Sequence, residues 1–281
     1  MDTIAVLGAG IMGAGIAQVA ALGNYKVILR DIQMTLVEEG INSIANNLDK
    51  LVKEGKITLD EKNIAFNLIE GTTDLSMLSN ADLIIEAVVE NIAIKKQIFN
   101  ELDYICPDDT IFATNTSSLS ITEIASVCKN PSRVIGIHFF YPVPEMKLVE
   151  IVKGLQTSDE TLLKTQNFIN RIDKDFIIVK KEHPGYVVNR ILIPYINEAI
   201  YVYAENIANA NEIDLAMELG AGMPVGPLKL ADKLGLDTIY SILTAFYEEF
   251  KDSKYRPHPL LATMIRGGYL GEKSGQGFYK Y

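Results

Sequence analysis

Along the first 180 or so residues, short runs of apolar residues alternate with longer stretches whose apolar positions recur at helical spacing. The short runs are Thr3–Leu7, Lys26–Asp31, Leu83–Ala87, Thr110–Thr114, Arg133–His138, Lys147–Val152 and Asp175–Val179. Seven strand signals with helices between them predict an α/β domain, a Rossmann-like doubly wound sheet that is mainly parallel. The crossover from Ile32 to about Phe66 is strongly helical and interrupted near Gly55, the pattern of a helical hairpin projecting from the sheet domain. After the turn at Pro184-Gly185 the strand signals stop, which divides the chain into residues 1–183 and an all-α C-terminal domain over residues 184–281. In that second part Val187–Ala204 is apolar nearly all round, a pattern of burial between layers or subunits, so a homodimer is expected. Pro194, inside this helix, is expected to kink it.

Composition narrows the partners. The formal net charge of −10 argues against nucleic acid and anionic membranes, so an anionic ligand has to be held by local basic groups. No apolar stretch reaches the roughly 18 residues of a membrane helix, and the chain opens on a strand with no leader-like segment, which points to a cytoplasmic protein. Cys106 and Cys128 lack metal-ligand spacing and are expected to be buried free thiols, with no metal site.

The first helix begins on Gly8-Ala9-Gly10-Ile11-Met12-Gly13, directly behind the first strand. Gly8 permits the tight turn, Gly10 the approach of a pyrophosphate, and Gly13 close helix–strand packing, so the turn reads as a dinucleotide cradle. The next strand ends at Asp31, where a carboxylate accepts hydrogen bonds from the adenosine ribose and repels a 2′-phosphate. NAD is therefore expected over NADP, although the adjacent Arg30 could pair with such a phosphate.

Of three histidines, His183 and His258 adjoin prolines, whereas His138 ends an apolar strand at the carboxyl edge where such sheets place ligands. Tyr141-Pro142-Val143-Pro144 turns the chain back, and the following strand brings Glu150 beside His138. A carboxylate on one ring nitrogen fixes the tautomer and stabilises the imidazolium of an acid–base catalyst. The loop Asn115-Thr116-Ser117-Ser118 supplies donors at the same edge, besides capping a helix over Ile121–Val127.

These residues carry a family resemblance over essentially the whole chain. The segments GAGIMGAGIAQ, EAVVEN, TNTSSLSITEIA, GIHFFYPVPEMKLVEI, PGYVVNRILIPYINEAI, GPLKLADKLGLD and KSGQGFYKY occur in order, and the sequence resembles the short-chain (S)-3-hydroxyacyl-CoA dehydrogenases. The resemblance implies His138 as catalytic base, Glu150 as its partner, Ser117 as a substrate hydrogen-bonder and Asn189 as a contributor from the helical domain. It implies that Gly8, Gly10, Ile11, Met12, Gly13, Asp31, Ser117, Glu90, Lys95 and Lys273 meet the cofactor, the last three on its nicotinamide side. It also implies that the hairpin holds coenzyme A, which gives Lys50, Lys53 and Lys56 a purpose beyond a solvated helix face. Tyr141 and Glu145 depart from the family pattern, which has asparagine and an apolar residue there.

The expected reaction is the interconversion of acetoacetyl-CoA and (S)-3-hydroxybutyryl-CoA with NAD(H), in butyrate/butanol-type fermentation or short-chain fatty acid metabolism. A Ser117–His138–Glu150 hydrolase is a weaker alternative, because Ser117 lies outside a GxSxG elbow. A silent nucleotide-binding protein and a dehydrogenase of CoA-free 3-hydroxy acids are the other two.

Overall fold

The computed structural model describes residues 1–281, which form two compact units, Met1–Glu182 and His183–Tyr281. In the first unit the elements run β1 (Thr3–Leu7), α1 (Ile11–Leu22), β2 (Lys26–Arg30), α2 (Met34–Lys53), α3 (Leu59–Asn67), β3 (Ile69–Thr72), β4 (Leu83–Glu86), α4 (Ile92–Ile105), β5 (Ile111–Thr114), α5 (Ile121–Ala125), β6 (Val134–Phe139), β7 (Leu148–Val152), α6 (Asp159–Arg171) and β8 (Asp175–Val179). One sheet contains all eight strands in the order β3-β2-β1-β4-β5-β6-β7-β8. Neighbours pair in parallel except β6 with β7, which are antiparallel. The central strands are mostly apolar because helices cover both faces, and β1, β4 and β5 are almost wholly buried.

Seven strands were expected and eight are present. The additional one, β3, reads Ile-Glu-Gly-Thr and carries one apolar side chain at the sheet edge, too little for a periodicity signal. Its Gly71 lies so close under α2 that a Cβ there would stand 2.5 Å from Val37 Cγ1.

The hairpin has a physical logic of its own. Val37, Gly40, Ile44 and Leu48 of α2 are buried at spacings of three and four, and both α2 and α3 lie along α1. Gly55 turns the chain at φ +69°, and Thr58 and Glu61 cap α3 reciprocally. The inner side is thus anchored to the core while Leu59, Ile64 and the lysines remain exposed or partly so. Cys106 and Cys128 are buried, unpaired thiols.

The second unit contains α7 (Val188–Ala204), α8 (Ala210–Ala221), α9 (Pro227–Leu234), α10 (Leu236–Phe250) and α11 (Pro259–Arg266). Helix α7 continues through Pro194 and buries Ile193, Ile196, Asn197, Ala199 and Ile200, but Ile191 is 68% exposed. Leu215 and Leu219 of α8 are exposed as well. Two buried carboxylates bind the segment that follows α11 to the helices. Asp232 accepts from the Phe278 and Tyr279 amides at 2.9 Å each, and Asp214 accepts from the Leu228 and Lys229 amides and the Tyr279 hydroxyl. Burial pushes the Asp232 carboxyl above its ordinary range against the pull of those amides. No helix in either unit is long and apolar enough to cross a membrane.

Candidate active site

The turn between β1 and α1 is shaped by what its glycines exclude. A Cβ on Gly13 would stand 1.7 Å from the Gly8 carbonyl oxygen, and one on Gly8, at φ +95°, would stand 2.6 Å from the Ala87 carbonyl oxygen. At Gly10 the same construction meets nothing within 4 Å, so the backbone there is open to a ligand. Gly10 caps α1 without any side-chain hydrogen bond, leaving first-turn N–H groups and the positive helix end for an anion. Ile11, 73% exposed, and the half-buried Met12 form that first turn.

Asp31 follows β2 and holds this turn in place. Its Oδ2 accepts the Ala9 amide at 2.7 Å, and its Oδ1 accepts the Ile32 amide at 2.7 Å. Each carboxylate oxygen retains a second lone pair for a ribose hydroxyl. Arg30 is directed elsewhere, its Nε donating to the Thr73 carbonyl at 3.3 Å. An open cradle, a free helix N-terminus and an acidic acceptor fit a dinucleotide.

Near the end of β6 and in the middle of β7 the structure brings His138 and Glu150 together. They are register partners across the antiparallel pair, with Nδ1 of His138 2.7 Å from Oε2 of Glu150. Glu150 is wholly buried and His138 5% exposed, so the contact is shielded from water. The imidazole packs edge-on against Phe140 at 4.6 Å. Asn115 Oδ1 accepts the Phe139 amide at 2.8 Å and ties the loop after β5 to β6. Tyr141 is 57% exposed, directly beyond.

The turn carrying Ser117 is gathered by Glu90. That carboxylate accepts the Ser117 amide at 3.2 Å, the Ser118 hydroxyl at 3.0 Å and the Thr116 hydroxyl. Lys95 is 1% exposed and lies between two carboxylates, 2.6 Å from Glu86 and 3.4 Å from Glu90. Sequence reasoning missed Glu86 as a member of this cluster. A glutamate ending a fully apolar strand was the signal available for Glu86, because a carboxylate there has to find donors.

The hairpin lysines are exposed, and two are already paired. Lys56 lies 2.7 Å from Glu54 and Lys50 3.8 Å from it, holding the Glu54 carboxyl below its ordinary range, with Lys56 contributing most. Glu145 adds to the negative surroundings of Lys56. Beside the hairpin is a cleft of about 400 Å³ lined by residues including Leu51, Ile57, Ile64, Pro144, Lys147 and Lys174.

Asn189 and Lys273 belong to the second unit. Asn189 is half-buried in the first turn of α7, next to Arg190, whose guanidinium stacks 3.6 Å from the Phe250 ring centre. Lys273 Nζ donates to Asp237 Oδ2 at 2.7 Å.

A doubly wound sheet with a glycine cradle and an acid after β2, followed by a helical unit, defines a dinucleotide-binding protein of the dehydrogenase type. Comparison with known proteins sharpens this. Residues 3–183 match the family model described as 3-hydroxyacyl-CoA dehydrogenase, NAD binding domain, and residues 185–281 match the C-terminal domain of the same family. The chain belongs to the 3-hydroxyacyl-CoA dehydrogenase family and carries its NAD-binding domain. It is 48% identical over 281 residues to the 3-hydroxybutyryl-CoA dehydrogenase of Clostridioides difficile, covering 99% of each chain. The crystal structure of (S)-3-hydroxybutyryl-CoA dehydrogenase from Ralstonia eutropha superposes with a TM-score of 0.96 at 45% identity, covering 100% of this chain and 99% of that one. A diketoreductase structure described as acting on dicarbonyl compounds superposes at 0.88 with 29% identity, covering 100% of this chain and 99% of that one.

Proposed function

We propose that this protein interconverts acetoacetyl-CoA and (S)-3-hydroxybutyryl-CoA with NAD(H), using His138 and Glu150 as an acid–base pair. The observation that carries the reading is the buried 2.7 Å contact between His138 Nδ1 and Glu150 Oε2 at the sheet edge of a family dehydrogenase. Support for the substrate comes from the relatives in Clostridioides difficile and Ralstonia eutropha, both named for 3-hydroxybutyryl-CoA. The pathway it serves is butyrate/butanol-type fermentation or short-chain fatty acid metabolism, in the cytoplasm.

In the oxidative direction, Nε2 of His138 takes the proton of the 3-hydroxyl group while Nδ1 stays engaged by Glu150. Bound nicotinamide supplies the hydride acceptor, or in reduction the donor. Glu150 offsets the charge of the imidazolium as it forms, in surroundings where water screens little. Because the pair lies on neighbouring strands, its geometry is set by the sheet rather than by flexible loops. Ser117 holds the 3-oxygen and Asn189 contributes from the helical domain. Reduction of the 3-keto group runs the same proton path backwards. Glu90, Lys95 and Lys273 serve the nicotinamide side of the cofactor, and Lys50, Lys53 and Lys56 serve the coenzyme A phosphates.

The functional form is a homodimer. Exposed Ile191, Leu215 and Leu219 on α7 and α8 are among the apolar side chains available to its interface.

A second reading, a dehydrogenase of CoA-free 3-hydroxy acids, has two observations in its favour: Glu54 and Glu145 partly neutralise lysines that would attract coenzyme A, and a structural neighbour is a diketoreductase. The test is oxidation of NADH and NADPH with acetoacetyl-CoA and with free acetoacetate. Turnover of the thioester with NADH is expected; equal or better use of the free acid would replace the proposal with the second reading.

A further inference from the structure

Glu86 ends β4 and its side chain is entirely buried. Its carboxylate accepts three donors from three segments: the Val88 amide at 2.7 Å, the Thr114 hydroxyl of β5 at 2.7 Å, and the Lys95 ammonium of α4 at 2.6 Å. Lys95 in turn stands 3.4 Å from Glu90, whose carboxylate holds the Thr116–Ser118 turn through two hydroxyls and the Ser117 amide.

The distances rank the competition. Lys95 makes a short, charge-assisted hydrogen bond to Glu86 and only a longer ion pair to Glu90. Held back in this way, the ammonium leaves Glu90 available to the neutral donors of the turn. Without the Glu86 charge, Lys95 would be a buried cation with one carboxylate in reach. It would draw Glu90 toward itself, because an unpaired buried charge is far less favourable than a strained pair. The turn would then lose the acceptor that places Ser117.

We propose that Glu86 is a positioning residue for Ser117, acting by restraining the Lys95 ammonium so that the Glu90 carboxylate serves the Thr116–Ser118 turn. The consequence for turnover rests on the substrate role of Ser117 given above; the consequence for the turn does not.

Two measurements keep the two apart. In Glu86→Gln, hydrogen exchange at the Ser117 amide should quicken about tenfold or more, the loss of one hydrogen bond, while β1 amides keep their protection. Adding Lys95→Met removes the stranded cation and should restore slow exchange at Ser117. Unchanged exchange in the single variant overturns the proposal, as does fast exchange in the double variant. The double variant leaves neither member of the pair unpaired, so it carries the test even where Glu86→Gln does not fold. In kinetics, Glu86→Gln should raise the KM for acetoacetyl-CoA about tenfold, and that rise should vanish in a Ser117→Ala background, the sign of one residue acting through the other. An additive effect would overturn the link to substrate. A wild-type protein inactive on acetoacetyl-CoA would overturn the functional reading and leave the exchange result standing.

Discussion

His138 and Glu150 face each other across the one antiparallel pairing of the sheet, and their side chains meet at 2.7 Å with the carboxylate wholly buried. The carboxylate therefore has little solvent to compete with the imidazole. His138→Gln should lower kcat by about 10²–10⁴-fold, the usual range for general acid–base catalysis, without changing NADH affinity. Glu150→Gln keeps the packing and removes the counter-charge, so its kcat should fall severely too. Steady-state kinetics beside an NADH fluorescence titration measures both; near-normal turnover in either variant would remove that residue from the chemistry.

Asp31 holds the glycine turn and, under the proposed function, also sets cofactor choice, so one substitution should act on both. Because its Oδ2 accepts the Ala9 amide, Asp31→Ala should loosen the glycine turn and raise the KM for NADH, as well as narrow the preference over NADPH. Arg30 donates to the Thr73 carbonyl and has to leave it to reach a 2′-phosphate, so the gain with NADPH should be modest. Parallel KM measurements with both cofactors decide this; a wild type that already favours NADPH would contradict it.

For the hairpin, replacing Lys50, Lys53 and Lys56 by alanine should raise the KM for acetoacetyl-CoA and leave kcat and the KM for NADH almost unchanged. These groups would bind substrate and transition state alike. Added salt should mimic the substitutions, since exposed charges are screened over about 8 Å at physiological ionic strength. Glu54→Gln should act in the opposite direction by freeing Lys56 and Lys50. Triple-variant and wild-type KM values that agree across a salt series would return the trio to an ordinary solvated surface.

Lys174 makes a prediction about stability and pH. Its ammonium donates to the Val143 and Met146 carbonyls at 2.7 and 2.6 Å, yet burial pulls its pKa down to about 8 from the ordinary 10.5. Between about pH 8 and pH 10.5 the unfolded chain then binds more protons at this site than the folded one, so stability rises with pH across that window. The two carbonyl contacts favour the charged form and moderate the rise. Thermal melts of wild type and Lys174→Met should diverge in slope over pH 8–10; parallel curves would mean that Lys174 titrates normally.

Much of the fold was legible because its signals are local. The glycine turn directly behind an apolar strand, and apolar runs separated by helical spacing, each depend on a few neighbouring residues. The strand β3 was not legible, since Ile69 is its single apolar residue and its place is set by β2 and α2. Within the site, His138 and Glu150 could be brought together by assuming one reversal of the chain. The Glu86–Lys95 pair and the Asn115–Phe139 hydrogen bond could not, because their meeting depends on how neighbouring elements pack in three dimensions. The same holds for Asp214 and Asp232, which read as ordinary helix carboxylates until the segment that closes over them is in place.

The antiparallel turn-back between β6 and β7 also sets what can vary. Both strands are buried, so their register is fixed by the ladder: a slip of one residue would move every side chain to the opposite face. Residues 140–147 between them are free of that constraint, and they hold Tyr141 and Glu145, the two departures from the family pattern. Under the proposed function, proton chemistry and ligand preference would then lie on separate parts of one hairpin. Drift or engineering in the connecting segment would then retune which ligand is accepted while the strand-held pairing of His138 with Glu150 is inherited intact.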